Sequence, residues 1–391
     1  MGKRIGMGKM NLDVIIKKYD RALLICLLLL AGVGTIMLFS ASSPISLLES
    51  NNRTNMLYLE AHLKRLLIGV VIMFITLSVD YRILKRFAPG IMIGAIFLLV
   101  LTKFLFLLKG NHSPARWVYI GSFSVQTSDI ARFAVLIYTS YYLDKKRSQI
   151  HDFQTGLLPI LGVLSLVMGL IVIQPDFSTA AMIGFIGIAL IFISGAKISH
   201  LSFSGAVGLL VAIPVLLSKP YRLARILSWF GIGTNPAADY QADQSLISLG
   251  NGGWFGLGLG NSMEKNLFLP TPHTDFIFAI IGEELGFIRA ILVLVLFVFI
   301  FHRGIKIAKQ CTDPFGVFLA IGISFNIILY AFTNAAVVTG IFPVTGLPMP
   351  MISYGGSGMV INLAMIGILL NISQARRSVS HKKGWSPAYS G

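Results

Sequence analysis

Acidic residues are scarce in this chain: 16 Asp and Glu stand among 391 residues, against 32 Lys and Arg. Charge of either sign is scarce too, at 12%, about half the share of an ordinary soluble domain. With 55% hydrophobic residues and a mean hydropathy of +0.78, there is too little polar surface to cover a water-facing globule. Cysteine is nearly missing. Cys26 falls in an apolar run and Cys311 in a basic loop, which excludes a disulfide framework and offers no thiol chemistry. The seven His are scattered without an HExxH or other metal-ligand spacing. No P-loop occurs, and the GLGLG run from Gly256 lacks the strand–helix unit of a nucleotide fingerprint. No short-period repeat is visible.

Apolar sequence is what the chain has in quantity. Runs at 22–39, 66–79, 87–108, 128–143, 157–173, 177–195, 201–217, 276–301, 315–342 and 358–372 predict an all-α polytopic membrane protein of about ten transmembrane helices. The first run follows a basic segment, 1–21, carrying Lys3, Arg4, Lys9, Lys17, Lys18 and Arg21. It is too long for a signal-peptide core and is expected to remain as an uncleaved anchor. The fourth run is the least apolar, opening with Ser128 and Asp129 and containing Arg132. Charge placement decides that it spans. Counting it puts both termini on the cytoplasmic side, together with the clusters Arg82, Lys85, Arg86; Lys145, Lys146, Arg147; and Arg303, Lys306, Lys309. The membrane domain then covers 22–374, and a basic cytoplasmic tail at 375–391 carries Arg376, Arg377, Lys382 and Lys383. A net charge of +16 distributed in this way fits cytoplasmic loops and anionic headgroups, not nucleic acid.

The outward loops are unequal. Residues 218–275, between the seventh and eighth runs, form by far the largest. A long ordered loop is usually functional, so the chemistry is expected on the outer face, toward the periplasm or exterior. This loop ends in LFLPTPHTDFIFAIIGEELGF from Leu267, with Asp275 where polar loop meets apolar run and Glu283 and Glu284 inside that run. Acids there are costly and mark function by default. Asp275 has two compatible readings. One is a helix cap, shared with Thr274. The other is a general base at a cavity mouth, where low dielectric would lift its pKa toward working pH. Glu283 and Glu284 read as structural intramembrane acids held by cations or hydroxyls of neighbouring helices, with Lys103 as one candidate partner.

Within the large loop, Lys219, Arg222 and Arg225 are either headgroup anchors or pyrophosphate ligands. Gly250, Gly252, Gly253, Gly256, Gly258 and Gly260 predict a tightly folded or re-entrant segment instead of a stable helix. Upstream, Trp117 reads as an interface anchor. Asp129 and Arg132 form an i,i+3 pair, structural or substrate-binding. Asp176 reads as a cap in a tight outward turn. The Pro- and Gly-rich stretch from Gly346 has the composition of a segment that dips back into the membrane.

Five segments, in order along nearly the whole chain, resemble the SEDS family of membrane proteins (shape, elongation, division and sporulation). They are RWVYIGSFSVQTSD from Arg116, QPDFST from Gln174, YQADQS from Tyr240, FLPTPHTDFIFAIIGEELG from Phe268 and FPVTGLPMPMISYGGSG from Phe342. The wording of QPDFST and of QSLISLGNGGWFGLGLGNSMEKNLFLP is nearer the division branch than the elongation branch. The resemblance implies a peptidoglycan glycosyltransferase of the cytoplasmic (inner) membrane. Such an enzyme polymerises lipid II by inverting β-1,4 transfer at the outer face, here in septal wall synthesis. It also implies a class B penicillin-binding protein as partner, other division proteins nearby, and chemistry with or without a divalent cation (Mg or Mn).

The family's essential acid falls on Asp275, and its first motif on Gln126, Ser128, Asp129 and Arg132. Arg116, Arg222 and Arg225 are expected to offset leaving-group charge. Tyr240, Gln241, Gln244, Ser245, His273, Thr274, Ser353 and Tyr354 are the remaining substrate-binding candidates. Thr127, Asp129 and Arg132 stand where the family has Pro, Glu and Lys, so the charge signs of the first motif survive. Ser178 stands for Gly. Thr271 stands for Glu, which counts against a two-carboxylate scheme. Two readings of other classes stand beside the enzyme. One is a flippase passing lipid II along Glu283, Glu284 and Lys103; the other is a non-catalytic division scaffold. The one-sided polar loop and the lack of a two-fold repeat of broken helices count against the flippase.

Overall fold

Each of the ten apolar runs has its helix in the computed structural model, which describes residues 19–108, 116–121, 123–217, 220–232 and 236–380. Lys3, Arg4, Lys9, Lys17, Lys18, Lys219, Lys382 and Lys383 lie outside the described residues. The helices on the apolar runs are α1 (Arg21–Glu49), α2 (Leu57–Ser78), α3 (Arg82–Leu108), α4 (Thr127–Lys145), α5 (Leu158–Ile173), α6 (Phe177–Ile193), α7 (Ile198–Leu217), α10 (Ile277–Lys309), α11 (Pro314–Val338) and α12 (Ser357–Ser380). Two further helices, α8 (Pro220–Trp229) and α9 (Pro236–Gly252), lie within the large loop. Strands β1 (Trp117–Ile120) and β2 (Phe123–Gln126) form an antiparallel hairpin just before α4.

Among the described residues, eight helices are long and apolar enough to cross a membrane. The other two are α6, which is short at 17 residues, and α4. The polar character of α4 has a packing cause. It lies between α3, α6, α11 and α12, and Ser128, Arg132, Thr139 and Ser140 are buried against protein. A polar side chain facing the bundle interior is tolerated where one facing lipid is not. α11 and α12 are also largely buried, whereas α7 buries no residue.

Two expectations about the runs are corrected. The connection between the first and second runs is short, because α1 continues to Glu49 and α2 begins at Leu57. The first turns of α2 carry Glu60, Lys64 and Arg65, polar residues that propagate helix as well as apolar ones do. The eighth run is not one continuous helix either: α10 is interrupted at Gly286, whose φ of 81° and ψ of 172° are not helical.

The interruption is where the glycine-rich segment docks. After α9, Gly253, Gly256, Gly258 and Gly260 all take positive φ. The amides of Leu257 and Gly258 donate to the carbonyls of Glu283 and Glu284 at 2.9 and 3.0 Å, and the amide of Phe287 donates to the Gly253 carbonyl at 2.9 Å. Backbone groups freed by the break are thus satisfied by the loop, as membrane depth requires. A methyl at Gly252 would overlap the Gly282 carbonyl, and one at Gly286 would overlap the Gly256 nitrogen. At the opposite end of the bundle, Asp20 caps α1 and pairs with Arg303 of α10, while its amide donates to Ser373 of α12 at 3.1 Å.

Candidate active site

Asp275 lies in the turn before α10, half-buried. The helix begins at Ile277 with Phe276 as N-cap and no side-chain cap hydrogen bond, so the capping role expected of Thr274 or Asp275 is not realised. The side chains turn to each other instead: the Thr274 hydroxyl donates to Asp275 Oδ1, and Thr271 Oγ1 stands 3.5 Å from the same oxygen. Asn334 of α11 fixes the backbone, with Nδ2 2.7 Å from the Asp275 carbonyl and 2.8 Å from that of Leu347. Asp275 Oδ2 faces Gly346, where an added methyl would stand 3.3 Å from it.

His273 is buried beside Asp275, its ring 4.4 Å from Tyr58 and 5.7 Å from Tyr354. Its Nδ1 has no hydrogen-bond partner among the described residues. Burial pushes this imidazole below its ordinary pKa, with Glu49 and Asp275 opposing. The His273 carbonyl accepts from the Tyr354 amide at 2.8 Å. Arg65 of α2 lies over the Tyr354 ring at 4.7 Å, and its Nη1 is unpartnered among the described residues. Tyr58 donates to Glu49 at 2.9 Å.

A second polar group forms where the hairpin enters α4. Gln126 Nε2 donates to Ser128 Oγ and to Asp176 Oδ2, each at 2.9 Å, and Ser128 donates to the same carboxylate oxygen at 3.0 Å. Asp176 also caps α6, as the tight turn predicted. Arg116 donates to the carbonyls of Gln174 and Pro175. Asp129 and Arg132 form the expected i,i+3 pair at 3.2 Å. Arg132 also approaches Asn326, Asn362 and the Tyr330 ring. Ser357 donates to Asp129 Oδ2 at 2.9 Å and accepts from the Gln126 amide at 2.9 Å.

The segment 343–357 joins these groups. Val344 accepts from Arg225 at 3.4 Å, Thr345 from Ser178 at 3.2 Å, and Gly346 abuts Asp275. Pro348 to Met351 wall a cavity of about 20 Å³ that Asp129, Arg132 and Tyr330 also line. Gly356 lies against Ser124 of the hairpin. Within this segment Ser353 is used structurally, accepting from the Met349 amide at 2.8 Å.

Other expected site residues stand apart from Asp275. Ser245 is fully buried, its hydroxyl 3.0 Å from the Val338 carbonyl, where it ties α9 to α11. Tyr240, Gln241 and Gln244 line α9, with Tyr240 exposed. Arg222 is buried, donating to Val215 at 3.1 Å and lying over Phe177. Arg116 thus contacts two carbonyls, and Arg222 a carbonyl and a ring.

Glu283 and Glu284 are wholly buried, and Lys103 is not their partner: its Nζ lies over Phe106 at 5.0 Å. The cation comes from the folded-back loop. Lys265 pairs with Glu284 at 2.8 Å, Ser40 donates to the same oxygen at 2.6 Å, and Ser248 and the Met263 amide hold Glu283. Sequence reasoning missed Lys265, Arg65, Tyr58 and Asn334. For Arg65 the signal was a charge at the edge of an apolar run, and for Asn334 a polar residue inside one.

Among the described residues, no three His, Cys, Asp or Glu side chains converge as metal ligands do. Asp275 has the hydroxyls of Thr271 and Thr274 beside it, and position 271 offers no carboxylate. These residues do not fit a protein-held divalent cation.

A family model described as "Cell cycle protein" (FtsW, RodA, SpoVE) matches residues 20–378. Stage V sporulation protein E of Bacillus subtilis is 38% identical over 359 residues, 92% of this chain and 98% of that protein. A probable peptidoglycan glycosyltransferase FtsW of Geobacter sulfurreducens is 34% identical over 368 residues, 93% of this chain and 98% of that one. Among solved structures, a peptidoglycan synthase complex that coordinates polymerization and crosslinking aligns with a TM-score of 0.73 at 22% identity, covering 92% of this chain and 98% of that chain. The rod shape determining protein RodA of Thermus thermophilus aligns at 0.66 and 22% identity with the same coverage. At that identity the likeness shows the fold.

Proposed function

The chain belongs to the FtsW/RodA/SpoVE family of cell cycle proteins, and from that premise we propose that it polymerises lipid II into glycan strands for septal wall synthesis. Relatives named as probable peptidoglycan glycosyltransferases support the reaction class. The observation that carries the residue assignment is the setting of Asp275. It is a half-buried carboxylate with one oxygen held by Thr274 and the other facing a glycine, on a backbone pinned by Asn334.

In this reading Asp275 accepts the proton of the acceptor sugar's 4-hydroxyl. The hydroxyl oxygen bonds to the donor's anomeric carbon as the bond to the pyrophosphate oxygen breaks, and that carbon inverts. The lipid pyrophosphate leaves with the bonding electrons. Arg65, which lies over the Tyr354 ring with its Nη1 unpartnered among the described residues, offsets the leaving charge. Proton removal by a placed base contributes about 10²–10⁴-fold. The site faces outward and both termini face the cytoplasm, and a class B penicillin-binding protein crosslinks the product.

Purified protein carrying Asp275→Asn, which keeps shape and removes the base, is expected to lose glycan synthesis from lipid II by at least about 10²-fold. Full polymerisation by that variant overturns the assignment. The flippase reading has less support, because α10 is the only helix with non-helical dihedrals in its interior among the described residues, and paired broken helices are the transporter pattern.

A further inference from the structure

A cavity of about 440 Å³ lies between α8, α9 and the turn after α11, apart from the Asp275 turn and the α4 cluster. Its chemistry is mixed. Trp229 and Phe342 supply aromatic rings; Arg225, Ser228, Asp239 and Asp243 supply donors and acceptors. Asp239 and Asp243 are four apart on α9 and so share a face. The frame is fixed: Trp229 Nε1 donates to the Gly340 carbonyl at 2.9 Å, and Ser228 donates to Asp239. The volume is in the range that encloses a small ligand.

Its charge narrows the ligand. Two carboxylates against one guanidinium disfavour a phosphate. Rings beside hydrogen-bonding groups suit a molecule with apolar faces and hydroxyl edges. We propose that this cavity is a saccharide subsite holding sugars of the growing β-1,4 glycan, and this rests on the glycosyltransferase reading above. Val344 walls the cavity, and Gly346, two residues on, abuts Asp275. Two peptide steps span no more than about 7 Å. The cavity wall and the Asp275 turn are therefore neighbours.

The test uses the full chain in detergent, titrated with a fluorescent β-1,4-linked N-acetylglucosamine hexamer. Asp243→Asn and Phe342→Ala are each expected to weaken binding about tenfold, and to shorten the glycan made from lipid II. Both residues are exposed, so two independent variants guard against a folding artefact. Unchanged binding in both variants overturns the proposal, as does tighter binding of the deacetylated, cationic hexamer by the parent chain. Hexamer binding that both variants weaken, in a parent chain that makes no glycan, upholds the saccharide site and sinks the polymerase reading instead.

Discussion

Lys265 Nζ stands 2.8 Å from Glu284 Oε1, while Glu284 Oε2 has no partner among the described residues. Removing the cation leaves a buried carboxylate uncompensated. Lys265→Met is expected to cost about 3–5 kcal/mol, read as a lower thermal midpoint in detergent. Adding Glu284→Gln is expected to recover most of it, since the two changes share one interaction. His273 makes a pH prediction. Its folded pKa is below its unfolded value, near about 6.5. Stability from this group is thus full above that value and declines as pH falls through it toward the folded pKa. Thermal midpoints between pH 7 and pH 5 are expected to drop more steeply in the parent than in His273→Phe. At this scale the sequence shows acids and cations but not who meets whom. Asp129 and Arg132 were legible because three residues on a helix place them together. Lys265 and Glu284 were not, because a loop that turns back on itself joins them. Lys103 was the wrong partner for the same reason.

Among the elements, the seam of α9, its glycine loop and the break in α10 carries the clearest consequence. Gly286 and Gly256 both hold positive φ, and each lacks room for a methyl against the other strand of backbone. Gly286→Ala or Gly256→Ala is expected to destabilise by on the order of 1–3 kcal/mol, measured by the same thermal midpoint. The double variant is expected to lose less than the sum, because both relieve or break one contact. Composition foretold the irregular loop from Gly253 to Gly260. Gly250 and Gly252, expected to lie outside a stable helix, form the last turn of α9 instead, where small size lets Gly252 pack against the Gly282 carbonyl. Composition did not foretell the break, because IIGEELGFIRAI is apolar and helix-forming on both sides of Gly286. Nor could it foretell that hydroxyls near Asp275 would turn toward that carboxylate instead of capping α10.

For the whole molecule, ten apolar runs became ten helices because burying or lipid-facing such runs leaves a chain no other backbone form. Orientation rests on charge, and it can be measured. In a background of Cys26→Ser and Cys311→Ser, a cysteine at exposed Leu267 is expected to react with a membrane-impermeant maleimide on intact spheroplasts. One at Gln310, at the other end of α10, is expected to react only after lysis. Reversed labelling would put Asp275 on the cytosolic side and end the enzyme reading.

The strip 343–357 borders the Asp275 turn, the α4 cluster and the α8–α9 cavity at once. A geneticist collecting defective alleles would find them crowded there, although no side chain in it handles a proton. Each lesson drawn from such an allele would be ambiguous, since one altered residue there disturbs three neighbourhoods together.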